Sequence, residues 1–326
     1  MATVSNANLI AGLYVAFFNR APDAEGLSFW LGQFNAGATV RNLAAGFAGH
    51  PVFEATYGGM NNQQFVEAVY VNMLGAAGDT TGISHWVGQL NGGQLTRDQM
   101  VADFVYSALS ADLDAARASG QLTQAEYDVA VQRQQTITNK TNIGVMFAQQ
   151  LGETTNLAPG TDPQSKASLE ADLSYRSAQA IIASINADGN SMTQSGNLIL
   201  SAAEFLAGQN SSSFTLVAMD DSRMSYAGRD GAPDIYLFNS NNFDNGDTVR
   251  LTDFERMDQL ILGTQYGHRN KAPSQGDNTM LEVFVEQKGS NVLMTVERNM
   301  AGTDVVKIEI LGVTVEEIVP TGNFLP

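Results

Sequence analysis

Up to Leu206 the apolar residues of the chain recur at spacings of three and four. From Ser211 onward they fall instead into short alternating or β-branched runs. The first pattern predicts helices and the second predicts strands. Leu9, Ile10, Leu13, Tyr14, Phe17 and Phe18 mark one face of a helix over residues 6–20. Arg20-Ala-Pro-Asp23 ends it, because Pro22 disfavours helix at the residue before it. Asp23 is then placed to cap the next helix, Gly26–Phe34, which carries Leu27, Trp30 and Leu31 on one face. That helix stops at Asn35-Ala-Gly37, where glycine permits a left-handed turn. A third helix runs through Leu43 and Phe47 to Phe53.

The same plan then repeats. Tyr14–Gly37 and Tyr70–Gly93 align at a constant offset of 56 residues, with eleven of 24 positions identical. The shared residues include Tyr14/Tyr70, Asp23/Asp79, Gly26/Gly82 and Trp30/Trp86, the last being the only two tryptophans of the chain. Arg97 aligns with Arg41, and Met100 and Phe104 align with Leu43 and Phe47 after a one-residue insertion. A unit of this size is too small to bury its own apolar faces, so the copies are expected to pack on each other. Trp30 and Trp86 are expected as buried anchors.

Thr123-Gln-Ala-Glu126 is a capping box that opens a helix to about Gln150. A polar loop over Thr154–Pro163 follows, then helices over Lys166–Ile185 and Leu198–Leu206. Strands are expected at Phe214–Val217, Ile235–Phe238, Thr248–Leu251, Gln259–Leu262, Leu281–Val285, Val292–Val296 and Val305–Ile310. The fold class is therefore α+β by domain: an all-α duplicated helical domain (1–153), a linker and helical extension (154–210), and an all-β sandwich or short β-roll (211–326).

Composition narrows the function. The net charge is −17 with a pI near 4.4, which disfavours nucleic acid and anionic membrane as partners. Oxygen-rich acidic surfaces suit hard cations, calcium above all. Without cysteine, disulfides, thiolate metal sites and thiol catalysis are excluded. The three histidines, His50, His85 and His268, form no metal-ligand spacing. No run of 18 apolar residues is present, so no membrane span is expected. The start lacks a basic n-region, so export, if it occurs, is expected without a cleaved N-terminal signal. No G-x-S-x-G, phosphate loop or H-E-x-x-H motif appears, and no catalytic role is expected. Helix capping accounts for Asp23 and Asp79.

The pattern Arg20-x-Pro22-Asp23-x-x-Gly26-x-x-x-Trp30, with its second copy, resembles a bacterial helical domain of unknown function that is distantly similar to phycobilisome linkers. The second copy departs from it, with Ala76 and Gly78 at the Arg and Pro positions. Asn139–Phe147 and Tyr175–Ile182 are similar to that family's tail, so the resemblance covers roughly residues 5–190. In that family the helical domain often precedes a glycine-aspartate-rich β-region exported by a type I secretion system. Phe214–Asp220, Gly228–Tyr236, Gly246–Val249, Asp253-Phe254 and Asp258–Leu260 are similar to a degenerate calcium β-roll and its closing segment. Gly322–Pro326 is similar to an uncleaved C-terminal export signal.

The resemblance makes calcium the candidate cofactor and Asp230, Asp234, Asp244 and Asp247 its candidate ligands. The simpler reading of these residues is as turn-formers, since Asp bonds its own backbone. Two functions follow from the whole. One is a secreted, self-assembling structural protein of a surface layer, filament or matrix, with itself as partner and contacts through the helical repeats or by strand addition at an open sheet edge. The alternative is an adhesin bound to cell-surface polysaccharide. Both place the protein outside the cell or on its surface.

Overall fold

The computed structural model describes residues 4–151, 172–208, 214–262, 266–269, 279–318 and 324–325. The loop expected over Thr154–Pro163, the first turn of the helix expected from Lys166, and most of Gly322–Pro326 lie outside these residues. The chain divides into two compact units, residues 1–192 and 193–326. The first is helical and the second is mainly β, so the α+β class holds.

In the first unit the helices are α1 (Asn6–Phe18), α2 (Ala24–Asn35), α3 (Val40–Ala48), α4 (Pro51–Tyr57), α5 (Asn62–Leu74), α6 (Thr80–Asn91), α7 (Arg97–Ser110), α8 (Leu113–Ala118), α9 (Gln124–Gln150) and α10 (Leu173–Ala183). Helix α1 is not amphipathic in place: residues 9–18 are all buried. It is packed by α2, α3 and α4 of its own copy, by α5 and α7 of the second, and by α9. A helix apolar on every side has to sit at the centre of a unit. The two copies therefore share one core around α1, and α3 also packs on α7.

Burying α1 entire raises the question of its last carbonyls, which no helix bonds internally. Each has a donor. Asn19, in the left-handed conformation at φ 48°, donates its N–H to Val15 O at 2.9 Å. Asn72 Nδ2 donates to Ala16 O at 2.9 Å, Tyr57 Oη to Phe17 O at 2.7 Å, and Tyr175 Oη to Phe18 O at 3.1 Å. The donors come from α5, α4 and α10. Lys140 of α9 is buried beside them and donates Nζ to Asn72 O at 2.7 Å. Burial lowers its pKa to about 8.

The conserved spacing of the two copies has a steric cause. Asp23 and Asp79 cap α2 and α6, accepting from Gly26 N at 2.6 Å and Gly82 N at 2.7 Å. A Cβ on either glycine would overlap a tyrosine hydroxyl, Tyr14 in the first copy and Tyr70 in the second. The indoles of Trp30 and Trp86 lie within reach of those same hydroxyls. Tyr, Asp, Gly and Trp thus form one contact set, built twice. The tryptophans are only half-buried, so the expectation of buried anchors is corrected. Trp30 stacks on Phe47 at 5.0 Å, while Trp86 meets Phe104 edge-on at 6.2 Å.

Two further expectations change. The third helix of the first copy breaks into α3 and α4, because Pro51 starts a new helix and His50 caps it, Nδ1 accepting from Val52 N at 3.3 Å. The insertion in the second copy falls before its cap: Thr39 caps α3 and Thr96 caps α7. Arg97 is therefore not the equivalent of Arg41. Arg41 Nη2 pairs with Asp103 at 2.5 Å, whereas Arg97 lies over the Phe65 ring and donates to Met60 O.

In the second unit, α11 (Gly189–Ala207) begins near the boundary and extends further than the periodicity indicated. Among the described residues ten strands follow: β1 (Thr215–Met219), β2 (Ser225–Tyr226), β3 (Asp234–Phe238), β4 (Thr248–Leu251), β5 (Gln259–Ile261), β6 (Tyr266–Arg269), β7 (Leu281–Lys288), β8 (Asn291–Glu297), β9 (Val305–Ile310) and β10 (Phe324–Leu325). A short helix, α12 (Val315–Ile318), precedes β10. One sheet has the order β1-β3-β5-β10, all parallel. The other has the order β2-β4-β9-β8-β7-β6, parallel at both ends and antiparallel through β7-β8-β9. From β1 to β5 the chain alternates between sheets and returns parallel each time, so this part is a short roll. Beyond it β7–β9 form an antiparallel meander. Both alternatives offered by the sequence are thus combined. Tyr236, Phe238, Val249, Leu251, Leu260, Val283, Met294 and Ile308 belong to the shared core.

Gly26→Ala is expected to destabilise the helical unit by about 1–3 kcal/mol in a urea melt. Adding Tyr14→Phe removes the hydroxyl that the new methyl meets and should recover part of that loss. Equal losses for single and double variants would contradict the steric account.

Candidate functional site

The roll places the four candidate aspartates on two turns. In the register of the first sheet Thr215 pairs with Asp234 and Ile235 with Gln259. Thr215, Asp234 and Asp258 therefore stand at the head of three adjacent strands. Asp258 Oδ1 accepts the Asp234 N–H at 3.0 Å and its Oδ2 accepts the Glu255 N–H at 2.7 Å. Asp234 Oδ2 accepts the Arg229 N–H at 2.6 Å. Asp253 Oδ1 accepts from Gly228 N at 3.0 Å and from Tyr236 Oη at 2.7 Å. Gly228 is required here, since a Cβ would overlap the Asp234 carboxylate.

Asp244 and Asp247 share the other turn, which Gly246 closes at φ 89°. Asp247 Oδ2 accepts the Asp244 N–H at 2.8 Å, and the Asp247 N–H returns a bond to Asp244 O at 3.2 Å, which closes the turn. Their charges act on Asp221, together with that of Asp220. Asp230 is exposed at the tip of the loop before β3. The four candidates thus divide: Asp234 joins Asp253 and Asp258, which the closing-segment motif contained without marking them as ligands. Asp244 and Asp247 join Asp220 and Asp221. Among the described residues, no three His, Asp or Glu side chains converge on a metal-sized point.

Burial governs the chemistry of the strand-head cluster. Asp258 is pushed up to about 7, chiefly by burial, with the charges of Asp234 and Asp253 adding to it. Asp234 is also raised, again by burial first, against the Arg229 amide and the Thr215 hydroxyl. Its Oδ1 is buried without a hydrogen bond. The Thr215 hydroxyl acts on the same carboxylate and favours its charged form. The cluster can therefore accept either a proton or a cation, and oxygen is the only donor type it offers.

The helical repeats hold a second set of polar side chains. In the first copy Arg20 Nη2 bonds Asp23 Oδ2 at 3.1 Å. In the second copy Ala76 stands at the arginine position, and Arg133 of α9 supplies the guanidinium instead, Nη1 to Asp79 Oδ2 at 2.6 Å. The Gly82 amide, and then Arg133, hold Asp79 below the usual carboxylate range. Both aspartates are engaged in capping and ion pairing. Arg133 carries no local signal, because it reaches Asp79 from 54 residues away.

The model of a domain of unknown function (DUF4214) matches residues 1–51 and 44–111. The two matches fall on the two copies of the repeat. No curated protein and no solved structure matches the chain.

The acid cluster makes stability depend on pH with a defined sign. Asp258 binds its proton more tightly folded than unfolded, so its contribution is fully present below about pH 4 and is lost as pH rises to about 7. Raised Asp221 and Asp234 act in the same direction. In metal-free buffer the β unit is expected to lose on the order of 2 kcal/mol between about pH 4 and pH 8. Asp258→Asn should flatten that slope, whatever its effect on absolute stability. A β-unit melting transition that rises across this range would contradict the assignment.

Proposed function

We propose that this protein is an acidic structural subunit, exported by a type I system, that assembles with copies of itself at or outside the cell surface. The observation that carries the reading is the pair of outer helices. Helices α2 and α6 each bury a single side chain, Leu27 and Leu90. Phe29 stays 55% exposed beside Trp30, and His85 occupies the equivalent place beside Trp86. One chain therefore carries two similar outward surfaces in non-identical settings. Head-to-tail contacts between such surfaces propagate into a layer or filament rather than closing. The described sheet edges are all short: β2 and β10 are two residues long, β6 is four and β1 is five.

Calcium belongs to the proposal. At −17 the copies repel one another, and a divalent cation reduces that repulsion. Asp234, with its unbonded Oδ1, would hold the ion, with exposed Asp230 on the same turn as a further oxygen donor. Bound there, calcium supplies positive charge and no redox chemistry. No catalytic role is assigned, because Asp23 and Asp79 are committed to helix caps and ion pairs.

Electron microscopy of the purified full chain, with and without millimolar calcium, tests the reading. Ordered polymers that grow with calcium are expected. Monodisperse monomers in both conditions would overturn it.

A further inference from the structure

The surface of the helical unit carries a groove of about 1090 Å³. It lies between the start of α1, the end of α7, α8 and the N-terminal half of α9. Val4, Leu109, Leu113 and Val131 give it apolar walls, and none of the four is buried. Val131 is 38% exposed. Exposed apolar side chains scattered singly are ordinary, but gathered around one groove they mark a contact surface.

Two carboxylates share this groove, Asp112 and Asp114, both exposed. Asp112 Oδ1 accepts the Ala115 N–H at 2.9 Å, and Asp114 Oδ1 accepts from Tyr127 Oη at 2.6 Å. The second oxygen of each makes no bond among the described residues, and neither carboxylate has a basic partner there. Arg117, the one cation of α8, donates its Nε to Gln124 at 3.2 Å instead. The other polar groups have spent their hydrogens. Gln134 Nε2 donates to Ala108 O and Ala111 O, Ser110 Oγ to Tyr106 O, and Asn8 Nδ2 to Thr141 and Asn142. Ser5 Oγ donates to Asn8 Oδ1. Among the described lining side chains, only the Thr138 hydroxyl keeps a donor free. The groove therefore offers acceptors and negative charge beside apolar walls. Its occupant has to bring donors, positive charge and apolar side chains together.

Size decides between a small amine and a longer segment. The volume lies above the usual small-molecule pocket and matches about two turns of a helix with its side chains. Lysine and arginine suit such a surface, since their stems lie on apolar side chains while the charged ends reach carboxylates. We infer that this groove docks a cationic amphipathic helix of a partner protein. A net charge of −17 steers such a partner toward the chain. A second copy is a poor match. None of the described helices presents two exposed lysines or arginines, since α9 carries Arg133 but buries Lys140. The inference is independent of self-assembly through α2 and α6, whose side chains do not line the groove.

The test is a nitrogen-15 NMR titration of the full chain with a synthetic helical peptide of leucine and lysine in amphipathic order. Controls are the same residues scrambled, and the analogue with glutamate for lysine. The amphipathic lysine peptide should bind with a Kd of about 10–100 μM and shift the amides of residues 109–115 and 127–138. Asp112→Asn with Asp114→Asn keeps the cap and the Tyr127 bond but removes both charges, and should weaken binding by about tenfold. Glu25→Gln with Glu67→Gln, an equal charge change outside the groove, should weaken it by less than about twofold. No binding at roughly 1 mM, equal binding of the scrambled or glutamate peptide, or equal weakening by both double variants would overturn the proposal. So would dimerisation of the chain alone through the same amides, which seats a second copy in the groove.

Discussion

The helical unit depends on finding donors for the end of a buried helix. Residues 9–18 of α1 are all enclosed, so the carbonyls of Val15, Ala16, Phe17 and Phe18 cannot turn to water. Three of the four donors are side chains from elsewhere: Asn72, Tyr57 and Tyr175. Each ties a different helix to one point. The second copy is therefore more than a neighbour of the first, because Asn72 lies in its opening helix. At the position equivalent to Asn72 the first copy has Ala16, whose carbonyl Asn72 satisfies. Duplication followed by divergence has turned two similar units into one core.

The same logic explains where the copies differ. Arg20 balances Asp23 locally, whereas Asp79 takes its partner from the long helix α9. The second solution leaves its guanidinium about a third exposed, and exposed pairs contribute little to stability. The first buries it among tyrosines and leaves Nε over. A chemically distinctive point thus arises in one copy only, beside an outer helix that both copies leave largely bare.

Much of this was legible in the sequence because it is local. Asp23 and Asp79 cap as the spacing predicts, Gly37 and Gly93 take positive φ, and Thr123 and Glu126 form the expected box. The strands fall where the β-branched runs place them. What escaped is non-local. The left-handed stops at Asn19 and Gly75 are equivalent positions, but Asn and Gly do not align by identity. The all-round burial of α1 follows from six partner helices rather than from its own period. In the roll, the Asp234–Asp258 column exists only once parallel pairing sets the register, so of the four aspartates chosen from nearby turns Asp234 joins one cluster, Asp244 and Asp247 join another, and Asp230 stays exposed at its loop tip. The two-residue β2 and β10 are too short to leave a pattern.

A shared core with two similar outer faces is the central claim, and native-state hydrogen exchange of the full chain addresses it directly. Amides of α1 and α3 from the first copy and of α5 and α7 from the second should open with the same free energy and the same denaturant dependence, as one cooperative unit. The outer helices α2 and α6 should exchange sooner, through smaller openings. If α5 and α7 open as a separate unit while α1 stays protected, the copies do not share a core and the account is wrong.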